Sequence, residues 1–132
     1  MYENPELAFE EFKTSEYLVN YLKNFSDSVI YPTRDLSTAF EVTFGEEGPL
    51  VVLCVEYDAL PEIGHACGHN IIATASIGAG IAIRNLVDDL GVRVKLLGTP
   101  AEEGGGGKII LLDNGAFEDA VCSMMIHPSS IN

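Results

Sequence analysis

The stretch Gly64-His65-Ala66-Cys67-Gly68-His69-Asn70 holds one thiol and two imidazoles. Thiolate and neutral imidazole are both good zinc ligands. Cys67 and His69 are two apart, so on a helix they would point in different directions. In an extended segment with Gly68 between them, both reach one metal centre. The plainer alternative is a buried cysteine and two ordinary histidines ahead of a helix. Glu102-Glu103 forms a second signal. Two adjacent carboxylates after an apolar strand are costly unless used or solvated. Neighbouring residues face different ways, so one can bind metal while the other acts as a base. The alternative is a solvated acidic turn. His127, followed by Pro128, is a third candidate. A lone histidine there is ordinarily structural, and its place beside the other signals shifts the balance toward a ligand.

Two other chemistries use the same residues. A thiol hydrolase would take Cys67 as nucleophile and His65, His69 or His127 as its base. It leaves the paired glutamates without a role and ranks below the metal reading. The run Gly104 to Gly107 before Lys108 invites a phosphate loop, but the Walker pattern needs Ser or Thr after the lysine and Ile109 stands there. The glycines instead let the backbone pass tightly beside the site and enter a helix. Cys54 and Cys122 sit in apolar runs and read as core residues.

The elements that would position these groups follow from periodicity. Pro5 to Phe25 reads as a helix with an Asn4-Pro5 start and a second capping signal at Thr14-Ser15. Ala39 to Phe44 reads as a strand, and Leu50 to Val55 as a strand buried on both faces. Gly68 to Leu86 is long enough for a helix, apolar nearly all round and therefore expected to be buried, with Gly78 and Gly80 allowing close packing. Val92 to Leu97 is a strand, Lys108 to Asn114 a short helix, and Ala120 to Ile126 a final strand. Strands separated by helices imply a mainly parallel sheet in an α/β fold. Functional residues then gather past the carboxyl ends of the strands. Those ends are Glu56-Tyr57-Asp58, the segment through Glu102-Glu103, and His127-Pro128, each with a titratable residue.

Composition narrows the classes. The chain has 132 residues, one domain's worth, and a net charge of −13. That charge argues against nucleic acid and against an anionic membrane, since both need a basic face. Residues 1–66 hold 13 of the 20 acidic side chains; this reads as a solubilising surface, with attraction of cationic substrates as the weaker alternative. An apolar fraction of 47% and a mean hydropathy of +0.19 argue against disorder. The longest apolar stretch, Ile71 to Ile83, has 13 residues, short of the roughly 20 that span a bilayer. Three cysteines do not make a disulfide scaffold, and Met1 to Pro5 lacks the start of a signal peptide, so a reducing cytoplasmic setting is predicted.

Taken together, these segments resemble the zinc-dependent amidohydrolases and dipeptidases of metallopeptidase family twenty. Relatives include aminoacylases, glutamate-releasing carboxypeptidases and indole-acetyl amino acid hydrolases. The matching segments are Asn4-Pro5-Glu6-Leu7 with Phe9-Glu10-Glu11, Glu56 to Pro61, Gly64 to Asn70, Gly98 to Gly104, Gly115-Ala116-Phe117 and His127-Pro128. Most members of this branch have Asp after Cys-Gly-His. Asn70, with Gly64-His65-Ala66 before it, is more similar to the intracellular subgroup that cleaves Xaa-Arg and β-alanyl-lysine dipeptides. A neighbouring subgroup cleaves aminobenzoyl-glutamate.

The resemblance implies a three-layer α/β/α catalytic domain with two zinc ions, manganese or cobalt being alternatives. Cys67, in the bridging position, with His69, Glu103 and His127 would be metal ligands. Glu102 would be the general base, with Asp58 and His65 behind the ligands. A ligand histidine stands in other branches where this chain has Glu56. The substrate would be a small peptide or N-acyl amino acid, and full-length members are often homodimers. Residues 1–132 would form part of the catalytic domain, without the inserted lid or dimerisation domain and without the C-terminal half that carries a last ligand histidine. Two expectations follow: an open apolar sheet edge, and a chain that alone is marginally stable and largely inactive, binding metal weakly or pairing with a full-length subunit.

Overall fold

A computed structural model describes residues 1–129. In chain order the elements are α1 (Phe12–Leu22), β1 (Glu41–Phe44), β2 (Leu50–Val55), α2 (His69–Ile83), α3 (Val87–Leu90), β3 (Arg93–Gly98), α4 (Gly107–Asp113) and β4 (Ala120–Met124). The sheet order is β1-β3-β2-β4, with β1 antiparallel to β3 and the other two pairs parallel. The expected α/β fold with a mainly parallel sheet is what forms.

The period-2 alternation of β2 builds two cores. Leu50, Val52 and Cys54 join Leu36, Ala39, Leu97, Leu111 and Ala116 on one face, under α4. Val55, with Leu53 beside it, joins Leu18, Val19, Leu22, Phe40, Val42, Ile77 and Leu96 on the other, under α1 and α2. Helices therefore cover both faces. The chain leaves β2 for β3 through α2, then returns through α4 to β4 on the far side of β2. The carboxyl ends of β2 and β3 lie side by side between these two crossovers, where open α/β sheets place their sites.

Several expectations need correction. The first helix begins at Phe12 rather than Pro5. Phe9 has φ 65°, which no right-handed helix holds, and the first-turn amides of Lys13 and Thr14 donate to the Glu6 carboxylate at 3.2 and 2.7 Å. An upstream loop thus caps α1 from outside. The helix predicted to reach Leu86 ends at Ile83, and the short α3 that follows it at Val87–Leu90 was not expected. α2 is not buried all round: Ile72, Ala73, Ser76, Ile77 and Gly80 face the sheet, whereas Ile71 is exposed. A Cβ on Gly80 would strike Leu96, while one on Gly78 would meet open space, so only Gly80 serves close packing. Cys54 is core, but Cys122 is exposed because β4 is an edge strand whose Val121 and Met124 also face outward.

Candidate metal centre

His69 is the first residue of α2, entered through Gly68 at φ 79°. A Cβ on Gly68 would lie 2.7 Å from Pro128. Glycine here serves both the left-handed turn and the approach of the His127-Pro128 segment. The His69 ring is buried, and its Nδ1 lies 2.9 Å from Oδ1 of buried Asp58. With the carboxylate accepting the Nδ1 proton, the Nε2 lone pair points into the site.

Four carboxylate or imidazole groups surround that lone pair. Nε2 is 3.5 Å from Glu56 Oε2, 3.4 Å from Glu103 Oε1 and 3.8 Å from Glu102 Oε2. The His127 ring meets His69 edge-on with centroids 6.0 Å apart. Donor atoms of Glu56, His69 and His127 lie within 4.8 Å of one another, as do those of His69, Glu102 and Glu103. Cys67 borders the cluster, its thiol donating to the Glu103 carboxylate.

His69 Nε2 and Glu56 Oε2 are both buried without a hydrogen-bond partner. Two facing acceptors at 3.5 Å with nothing between them are costly in a low-dielectric interior, and a cation between them removes the cost. The donor set of imidazole and carboxylate suits a divalent transition metal such as zinc, and Cys67 is not among the groups whose donor atoms converge. Side chains and orphaned atoms together fit a divalent ion.

The same charges set the protonation of the cluster. Burial alone would raise the Asp58 carboxyl, but the bond from His69 and the backbone N–H groups of Glu103 and Glu102 outweigh it and hold the carboxyl below its ordinary value. Burial alone would lower His69, but Asp58 first, then Glu56 and Glu103, raise it. The bond to Glu103, then burial and the neighbouring carboxylates, push the Cys67 thiol up to about 11. A thiol so protonated is a poor nucleophile, which counts against a thiol hydrolase. His65 is buried, which lowers its pKa, and neither ring nitrogen has a hydrogen-bond partner among the described residues.

Glu102 and Glu103 do not diverge as adjacent residues in a strand would. Ala101 at φ 57° turns the chain so that both carboxylates come within 4 Å of His69 Nε2. Three charged groups at or beside the cluster were given no role from the sequence. Glu56 is fully buried and ion-paired to Lys108, whose Nζ also lies 4.0 Å from Glu102 Oε1. Glu11 is fully buried and hydrogen-bonded to the Ala101 amide. The strand-end position of Glu56 was a usable signal; Glu11 and Lys108 carried none outside the resemblance.

A cluster of imidazoles and carboxylates at the carboxyl ends of a mostly parallel sheet defines a candidate metal centre of an α/β protein. Residues 52–131 match the peptidase family M20/M25/M40, and the chain belongs to that family. It is 39% identical over 142 residues to the Xaa-Arg dipeptidase of Mus musculus, an alignment covering 97% of this chain and 33% of that protein. It is 32% identical over 149 residues to one of the subunits of the p-aminobenzoyl-glutamate hydrolase of Escherichia coli, covering 98% of this chain and 31% of that one. Among solved structures it resembles a dinuclear metal-binding peptidase of the M20 family from Bacillus subtilis, with a TM-score of 0.80 and 25% identity over 92% of this chain and 38% of that one. The chain thus spans a minor part of the length of each. No described helix is long and apolar enough to cross a membrane.

Proposed function

We propose that this chain carries metal-binding residues of a hydrolase that cleaves the amide bond of a dipeptide or an N-acyl amino acid. The observation that supports this most directly is the buried, unpartnered Nε2 of His69, held in its tautomer by Asp58 and facing Glu56 and Glu103. His69, Glu103, His127 and Cys67 would hold the metal, zinc by preference, with manganese or cobalt as alternatives. Asp58 orients His69, and His65, buried with no hydrogen-bond partner among the described residues, would stand behind the ligands. The Xaa-Arg dipeptidase and aminobenzoyl-glutamate hydrolase relatives point to a small substrate with a free carboxylate.

A bound metal would polarise the scissile carbonyl and lower the pKa of water to about 7. Glu102 is the group to accept the proton of the attacking water and hand it to the leaving amine as the C–N bond breaks. Its side chain is 38% exposed, enough to meet a substrate from solvent, whereas Glu103 is 21% exposed and turned into the cluster.

Metal content of the dialysed protein, wild type beside Cys67→Ser/His69→Ala, is the test. Bound zinc lost in the double variant supports the centre; a folded wild type without metal sinks it. Hydrolysis of a basic dipeptide, abolished by Glu102→Gln with metal retained, then separates a working hydrolase from a chain that only binds metal or pairs with a full-length subunit.

A further inference from the structure

Three successive residues, Ala101, Glu102 and Glu103, have backbone N–H groups that turn toward two buried carboxylates. Asp58 takes Glu103 N at 2.9 Å and draws that of Glu102. Glu11 takes Ala101 N at 2.8 Å through Oε1, which also accepts Phe9 N at 3.0 Å, while Oε2 accepts the Thr38 hydroxyl at 2.8 Å. Glu11 is fully buried and 90 residues from Ala101 in the chain. Nothing in the hydrolysis scheme uses it.

The turn it grips is unusual. Ala101 is in the left-handed region at φ 57°, where a residue with a Cβ is disfavoured. Its carbonyl accepts Gly105 N and Gly107 N, both at 3.2 Å, so the peptide groups on both sides of Ala101 are hydrogen-bonded. Phe9, also at positive φ, lies over Gly105 so closely that a Cβ there would sit 2.2 Å from the ring. The loop before α1 therefore presses on the glycine run and supplies the acceptor for Ala101 at once. This turn is what brings both Glu102 and Glu103 to His69 rather than to opposite sides.

We propose that Glu11 is the positioning residue of the metal centre: by accepting the Ala101 amide it sets the left-handed turn that aims the Glu102–Glu103 pair at His69. The proposal rests on the reading of Glu103 as a metal-holding group. Reach, rather than charge, is what the geometry requires. Glu11→Gln keeps an oxygen for the Phe9 and Ala101 amides and can donate to the Thr38 oxygen. Glu11→Asp keeps the charge but withdraws it by one methylene.

The test combines cobalt affinity, read from the ligand-field spectrum, with hydrogen exchange at the Glu103 amide. Glu11→Asp is expected to weaken cobalt binding roughly tenfold, the scale of lost support behind a metal ligand, and to speed exchange at Glu103. Glu11→Gln is expected to stay close to wild type in both. Leu22→Ala, a core variant of α1, is expected to lower the melting temperature without moving either readout. Equal behaviour of Glu11→Asp and wild type, or impairment of Glu11→Gln to the same degree as Glu11→Asp, overturns the proposal. A wild type that takes up no cobalt defeats the metal reading separately, and exchange at Glu103 then decides the role of Glu11. If Glu11→Asp does not fold, exchange at the Ala101 amide of the wild type decides: protection supports the bond to Glu11, and exchange as fast as in an open loop overturns it.

Discussion

Oδ1 of Asp58 lies 2.9 Å from Nδ1 of His69, while Oδ2 of the same carboxylate accepts the amide of Glu103 at 2.9 Å. One buried side chain thus orients an imidazole and fixes the backbone of a carboxylate that faces it. Asp58→Ala is expected to lower metal affinity by about 10–100-fold, because both groups lose their orientation at once. Competition with a chromophoric chelator measures it; an unchanged affinity would remove Asp58 from the site.

The same pair predicts a pH profile for the metal-free protein. His69 is raised above 6.5, so its contribution to stability is full below 6.5 and is lost as pH rises through the folded value. Asp58 is lowered below 3.8, so its contribution is full above 3.8 and is lost as pH falls through the folded value. The stability difference between wild type and Asp58→Asn is therefore expected to be largest between pH 3.8 and 6.5 and to shrink on both sides. Urea titrations across that range test it, and a flat difference contradicts it. Metal must displace the His69 proton, so apparent metal affinity rises with pH through the same upper limb.

Cysteine alkylation gives a third prediction. The Cys67 thiol, pushed up to about 11, is almost wholly protonated at pH 8 and should react slowly with iodoacetamide. Cys122, exposed on β4, should react first, and buried Cys54 last. Glu103→Gln removes the negative charge beside the Cys67 thiol, makes its ionisation easier and is expected to accelerate its labelling. Peptide mass spectrometry over time reads all three; labelling of Cys67 that ignores Glu103→Gln denies the thiol–carboxylate contact.

A fourth concerns the turn into α4. A Cβ on Gly107 would sit 1.9 Å from the carbonyl oxygen of Pro100. Backbone cannot yield as a flexible side chain would, so Gly107→Ala is expected to cost about 1–3 kcal/mol. It should also weaken metal binding, since Gly107 N is one of the two donors to the Ala101 carbonyl. Thermal unfolding and chelator competition check the two parts; a stable variant with normal affinity would show that the loop is looser than its contacts imply.

The chemistry of this protein was legible where it is local. Cys67-Gly68-His69 stands out because a thiol and an imidazole two apart can share a metal, and Glu102-Glu103 and His127 because each is costly to bury and follows an apolar run that had to be a strand. The β2 alternation and the α–β order likewise follow from side-chain periodicity, and with them the fold class and the end of the sheet on which the site must lie. Tertiary structure decided which neighbours each group meets. That Glu11 crosses 90 residues to Ala101, that Lys108 neutralises buried Glu56, and that Glu6 caps α1 are long-range matches of one donor to one acceptor. No local propensity encodes them. It also decided exposure: Cys122 has the apolar flanks of a core residue, yet it lies on an edge strand with solvent beside it. Local composition determines which residues can do chemistry, and only the packed sheet determines which of them converge, because convergence depends on distances between segments far apart in the chain.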